Sequence, residues 1–513
     1  MTNTVLPGPT PARSMMQRAR GDLGALSLML PVPVGLIVGL FSLMMGADSV
    51  YVSFQILLFI LIVPILYVIR TDEKYTAAVV LIGFAKTFYI SQIISIFIWH
   101  APDAALLNAQ LTELGLIVGL VSALVGIVLA RLTVAALPRT KPLLSWGASA
   151  PELRQMGYLT GIIGLPAQIL WTIHVTSLSG DQHGGVGIQS SGAPIFEFLA
   201  PLALVSICCF AAEQLLISDR RSFLSSRLVV TLAIYFAAIL PLATKTEPLR
   251  PLVALFAVAL IYRWRPRIVP VASGLVLLLV VMEFFYPAVT LARMTAFGEQ
   301  RPVAVVFGEI AMKSLVDPSE LSFVREYSDN YEMGLHQNYY GRVMGFWDRF
   351  TPQVTDQLIS GSQYLDPAGL SVFKDAFYEI LPQSLGFKKT LDAQSRIEIA
   401  LTRNNNNGGK VSWSNAGYVG DGFVSGGIVM ASAFCLCFGF LGSMTSRLIF
   451  VQKTKDPLWI PFLCGSMFVL ADSGFVSGTY AFFWGSAIYI GVLYILIRYM
   501  AARGSRAIAA TMV

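Results

Sequence analysis

Charge is scarce in this sequence. Only 13% of its 513 residues are Asp, Glu, Lys or Arg, against 55% hydrophobic residues and a mean hydropathy of +0.66. Soluble domains carry about a quarter charged residues, so a soluble protein is excluded. Cysteine is scarce too. All five (Cys208, Cys209, Cys435, Cys437 and Cys464) fall inside apolar runs, without the paired CxxC spacing of a metal site and without a disulfide framework. Several catalytic signatures are missing: the phosphate-cradling GxxxxGK[ST], HExxH and GxSxG. ATPase, zincin and serine-hydrolase readings therefore have no motif to stand on. No acidic DxD pair marks a metal and nucleotide-sugar site, and neither a metal nor a cofactor is expected. The N-terminus, with Pro7, Pro9, Pro11, Arg13, Arg18 and Arg20, lacks a compact apolar core followed by a cleavage site. It reads as a cytosolic tail.

What the chain has in abundance is long apolar runs. A spanning helix needs about 20 mostly apolar residues. About twelve ranges pass that test: 25–46, 50–69, 76–99, 113–136, 156–178, 194–217, 227–243, 250–264, 268–287, 422–444, 458–474 and 477–499. The expected fold is an all-α polytopic membrane protein with one large, mainly helical external loop. Its parts are a tail at 1–24, a bundle at 25–287, the loop at 288–421, a second bundle at 422–499 and a tail at 500–513.

The net charge of +6 would suit a nucleic-acid partner, but its placement says otherwise. Lys and Arg gather at alternate helix ends: Arg70 and Lys74, Arg131 to Arg154, Arg220 to Arg227, Arg263 to Arg267, Arg447 to Lys455, and Arg498 to Arg506. The intervening short loops, 47–49, 100–112, 179–193 and 475–476, have none. Basic residues collect on the cytosolic side, so both termini are expected inside and 288–421 outside. One short external loop breaks the pattern with Lys245 and Arg250, where Glu247 could neutralise one of the two. A charge kept near lipid against that bias is a functional candidate, here for substrate binding. Charges within or near spans are Lys86, Glu197, Glu213 and Glu283. An internal ion pair accounts for them more simply than an ion-coupling relay.

Within the long loop, the segment around Tyr340, Arg342, Trp347 and Arg349 is the best site candidate. On a helix, Arg342 and Arg349 share a face, about 10 Å apart along the axis. No carboxylate stands three or four residues from either, the spacing of an internal partner. Two guanidinium forks can converge on one phosphate group. The same pattern also describes a solvated basic face at the membrane boundary. His336 could take a proton from an attacking hydroxyl, as could Glu332, Asp348 or Asp421, and the sequence does not choose among them. Further on, Asp366-Pro367 opens a helical stripe of Leu370, Phe373, Phe377 and Leu381, ended by Pro382. It is expected to pack on the bundle.

The return segment carries Asp421, Phe423, Gly426 and Gly427, an acidic residue, an aromatic and glycines opening an apolar helix. With the arginine-bearing loop, the basic turn around Lys245 and Arg250, and the layout of spans, it resembles the bacterial polymerases of O-antigen and exopolysaccharide repeat units, distant kin of O-antigen ligases. The resemblance implies a metal-independent glycosyltransferase in the bacterial inner membrane. It would act on polyprenyl-pyrophosphate-linked oligosaccharide, with a chain-length regulator and a flippase as further partners. It casts Arg342, Arg349, His336 and Asp421 as catalytic, and Lys245, Arg250, Tyr340 and Trp347 as substrate-binding. Glycines 426 and 427 would let the return helix approach a neighbour closely. The rival readings are an O-antigen-type ligase, a flippase or transporter of lipid-linked sugars, and a scaffold whose external part binds a partner.

Overall fold

Small residues decide which helices of this protein meet. The computed structural model describes residues 30–71, 108–136, 149–178, 196, 199–242, 247–262, 264, single positions between 276 and 299, 301–317, 353–362, 369–380 and 417–449. Among them every regular element is a helix. In chain order these are α1 Pro31–Met44, α2 Ser49–Thr71, α3 Ala109–Ala136, α4 Ala150–Leu178 and α5 Leu202–Ile217. Then come α6 Ser226–Ile239, which runs into a 3-10 turn at Leu240–Leu242, and α7 Leu249–Ile261. They are followed by α8 Val303–Val316, α9 Gln353–Gly361, α10 Ser371–Ile380 and α11 Gly417–Ile449.

Among the described residues three helical stretches are long and apolar enough by composition to cross a membrane, Ala109–Thr133, Ala150–His174 and Gly417–Leu441, the last of them interrupted at Gly426 and Gly427. The apolar ranges expected at 25–46, 50–69, 113–136, 156–178, 194–217, 227–243 and 250–264 each overlap a described helix. Ranges 76–99, 458–474 and 477–499 lie outside the described residues, and 268–287 is described only at isolated positions. The expected total of about twelve spans thus reaches beyond the described residues.

Local chemistry sets the helix starts. Ser149 and Glu152 form a capping box at α4, with the Ser149 N–H donating to Glu152 at 2.8 Å. The Ser225 hydroxyl accepts from the Leu228 N–H at the start of α6. Asp48 accepts from Val50 and Tyr51 N–H groups at the start of α2. Led by Tyr51, these donors hold its carboxyl below the ordinary range.

The helices form two packed groups. Between apolar helices in lipid, close backbone approach replaces the hydrophobic drive. In one group, α4 lays Gly157, Gly161 and Gly164 on α5, and a methyl group on Gly164 would overlap the Ala203 backbone. The Ser206 hydroxyl donates across this contact to the Gly157 carbonyl at 2.7 Å. Helices α6 and α7 pack on the same core, which includes Met156, Cys208, Cys209, Phe210, Tyr235 and Val258. In the other group, α1 rests Gly35 and Gly39 on Phe59, Ile56 and Val52 of α2, and α2 packs on α3. Helix α3 meets α11 at its closest point through Gly126 and Gly439, each set against the partner helix backbone. Phe438 touches both cores and joins the groups.

Helix α11 is two helices rather than one, which corrects the expectation of a single span over 422–444. Gly426 (φ 170, ψ 34) and Gly427 (φ 69, ψ −156) break it. A methyl group on Gly422 would overlap Ala431; in an unbroken helix these residues would lie about 13 Å apart. The chain therefore reverses at the two glycines into a hairpin. Gly427 needs its missing side chain for that backbone angle. Gly422 makes a close backbone approach to the long arm and Gly426 lies close against the Met430 side chain, whereas Gly427 faces open space. The long arm, 428–449, runs parallel to α3: Ser122 and Ser432 hydroxyls meet at 2.6 Å, and Gly126 meets Leu436 and Phe440 further on.

The same direction of travel puts Arg131 and Arg447 at one end of this group. In the other group Arg154, Arg221, Arg227 and Trp264 share an end, tied by the bonds of Glu213 and by Trp264 Nε1 donating to the Arg221 carbonyl at 3.2 Å. Helices α8 and α9 of the 288–421 stretch sit at the opposite ends, whereas its last residues, from Gly417, run inside the bundle with Tyr418 against Phe438. Helix α8 packs on the 3-10 turn beyond α6, and α9 docks on α3 near Asn108.

Candidate functional site

The start of α3 is where the long polar stretch, the bundle and the hairpin come together. Asn108 caps α3, its side-chain oxygen accepting from the Leu111 N–H at 3.3 Å. A second cap arrives from far along the chain. The fully buried Asp356 of α9 accepts from the Asn108 N–H at 2.9 Å and from the Thr112 hydroxyl at 2.8 Å, all on Oδ1. Gln110 reaches to Asp48 at 3.0 Å and ties in the start of α2. Negative charge at a helix N-terminus is favourable, so two carboxylates from elsewhere fasten the amino end of α3. Ile359 of α9 enters the core beside Phe423 of the hairpin's short arm, whose ring lies 2.7 Å from where a Gly115 side chain would begin.

Helix α10 fastens to the same place. The Gly369 N–H donates to the Ser425 carbonyl at 2.6 Å, satisfying the end of the hairpin's short arm. Phe373 then meets Phe434 edge-on at 5.5 Å. The stripe expected from Leu370 to Leu381 packs only in part: Phe373 lies on the bundle, whereas Leu370 and Phe377 are exposed. Leu381 and Pro382 lie outside the described residues.

Asp421 lies on the short arm, buried, with the Ser425 hydroxyl donating to its backbone carbonyl at 2.7 Å. Tyr418 of the same arm stacks on Phe438 with ring centres 4.4 Å apart. Arg250 opens α7 beside Glu247, which it holds at 3.1 Å. It is therefore a paired cation, as the neutralising reading of that loop anticipated. Arg342, Arg349, His336, Tyr340, Trp347 and Lys245 lie outside the described residues, as do Glu332, Asp348, Lys86, Glu197 and Glu283. Glu213 is an ion-pair partner of Arg154 and Arg227. No group of three or more His, Cys, Asp or Glu able to hold a metal occurs among the described residues.

Sequence reasoning missed Asp356 and Thr112. The signal was faint: an aspartate on a nine-residue helix, between Val354 and Leu358, with its partner 244 residues away. Asp356→Ala leaves the Asn108 N–H and Thr112 hydroxyl without their acceptor. It should cost about 1–3 kcal/mol, read as a lowered thermal midpoint in detergent, with Asp356→Asn losing less.

Among the described residues every element is a helix, and three helical stretches, one of them broken at Gly426 and Gly427, are apolar and long enough to cross a bilayer, which defines the class as a helical membrane protein. No protein-family model, curated protein or solved structure matches the chain.

Proposed function

We propose that this protein is a polysaccharide polymerase of the outer face of a bacterial inner membrane, with about twelve spans and 288–421 as its external part. The carrying observation is the arginine pair Arg342 and Arg349, without acidic partners at helical spacing, in a long polar stretch. The docking of α8 and α9 at helix ends remote from Arg131, Arg154 and Arg227 agrees with an external position for that stretch.

In the reaction, a hydroxyl of a new lipid-linked repeat unit attacks the anomeric carbon of a glycan held on polyprenyl pyrophosphate. The new glycosidic C–O bond forms as the bond to pyrophosphate breaks, and polyprenyl pyrophosphate departs with the electron pair. His336 takes the hydroxyl proton, a role that suits it better than the buried Asp421. Arg342 and Arg349 neutralise the departing pyrophosphate, while Tyr340 and Trp347 stack on sugar rings. Lys245 and Arg250 hold the carrier, Arg250 with its charge already half answered by Glu247.

Gel analysis of surface glycan from a strain lacking the protein tests this. A polymerase leaves single repeat units, so the ladder collapses to one rung. Long chains not attached to their final acceptor would instead identify a ligase. Retained transport after deletion of 300–410 would identify a carrier of lipid-linked sugar.

A further inference from the structure

A second charged centre lies apart from this site. Glu213 of α5 is almost wholly buried and takes two guanidinium groups from two other helices. Arg154 of α4 donates through Nε at 2.6 Å to Oε1. Arg227 of α6 donates through one terminal nitrogen at 2.9 Å to Oε1 and 3.2 Å to Oε2, and also bonds Tyr158. A single buried carboxylate needs only one countercharge, and here it has two. The group is therefore net positive, and its cations are not sealed in: the Arg154 and Arg227 side chains are 41% and 34% exposed.

Each guanidinium carries five N–H donors. Among the described residues Arg154 gives only its Nε to a partner, so most of its fork is uncommitted. Glu213 holds both side chains in place, which lowers the ordering cost of binding a ligand. The surroundings match a membrane boundary. The turn between α5 and α6 bears Arg220 and Arg221, and Trp264 binds the Arg221 carbonyl with its ring edge-on to Phe223 at 4.7 Å. Tryptophan and basic residues together favour the headgroup layer.

We propose that Arg154 and Arg227, set in place by Glu213, form a binding site for a phosphate oxyanion at the basic end of α4, α5 and α6. The planar fork of arginine suits such an anion. An anionic phospholipid headgroup is one source and soluble phosphate the other.

The thermal midpoint of the purified full chain, taken in micelles doped with phosphatidylglycerol, phosphatidylcholine or neither, tests the site. A parallel series adds inorganic phosphate. Phosphatidylglycerol is expected to raise the midpoint by several degrees more than phosphatidylcholine. That increment should fall to half or less in Arg154→Gln, which removes one of the two forks, and shrink in Glu213→Gln, which releases both arginine side chains from the carboxylate that positions them. Arg154→Lys keeps the charge without the fork, guards against a variant that fails to fold, and should lose part of the increment. Equal protection by inorganic phosphate would support the site and name the soluble anion as its source. Identical responses to the two lipids with none to phosphate would overturn the proposal. An undiminished increment in Arg154→Gln and Arg154→Lys would overturn it as well.

Discussion

A Gly439→Leu protein is expected to lose the α3–α11 contact and to unfold far below the wild-type midpoint. At Gly439 the first side-chain carbon would overlap the Ala123 carbonyl oxygen, and at Gly126 it would overlap the Leu436 carbonyl oxygen. The two glycines therefore set the helix separation from both sides. Overpacking a core usually costs about 1–3 kcal/mol because neighbouring side chains give way. Here the obstacle is main chain, which cannot turn aside, so a loss of at least about 3 kcal/mol is expected. Ser122 and Ser432 would part, and Phe438 would leave one of its two cores. Gly308→Ala on α8 is the control, since its added carbon meets nothing within 4 Å. It should match or slightly exceed wild type, because alanine suits a helix interior better than glycine. Thermal unfolding of both variants in one detergent decides the matter.

The other large effect concerns chemistry. Under the polymerase reading, Arg342→Ala should slow glycan extension about a hundred- to thousandfold, the loss usual for one donor to developing charge in a partly dry cleft. Arg349→Ala should behave alike, and Arg342→Lys should recover only part, because an ammonium lacks the two-pronged fork. Arg250→Ala should cost less than either, since Glu247 already answers part of its charge at 3.1 Å. The readout is the surface-glycan ladder with the variant protein present at wild-type abundance. A normal ladder from Arg342→Ala would remove that residue from the mechanism.

The two effects have different sources in the molecule. Stability rests on bare backbone contact at Gly126, Gly164, Gly422 and Gly439, since neighbouring apolar helices in lipid gain little from hiding greasy surface. Chemistry, in the proposed scheme, rests on charges of the polar stretch. The Asp356 cap links the two: it fastens helix α9, which begins four residues after Arg349, to the start of α3.

Hydropathy and charge, read along the chain, were enough to determine a helical membrane class and the approximate ranges of α1 to α7, because twenty apolar residues leave few alternatives to a helix in lipid. They also showed that Glu247 could neutralise either Lys245 or Arg250, and the structure pairs it with Arg250. Local pattern could not reveal the reversal at Gly426 and Gly427. An apolar run broken by glycines looks the same as a straight span until the Gly422 backbone is found against Ala431. Nor could it pair Asp356 with Thr112 or Glu213 with Arg154 and Arg227, because each partner comes from a different helix and only the packing brings them within hydrogen-bond reach. Tertiary structure decided those contacts for the reason that a buried charge must find its partner wherever the fold supplies one.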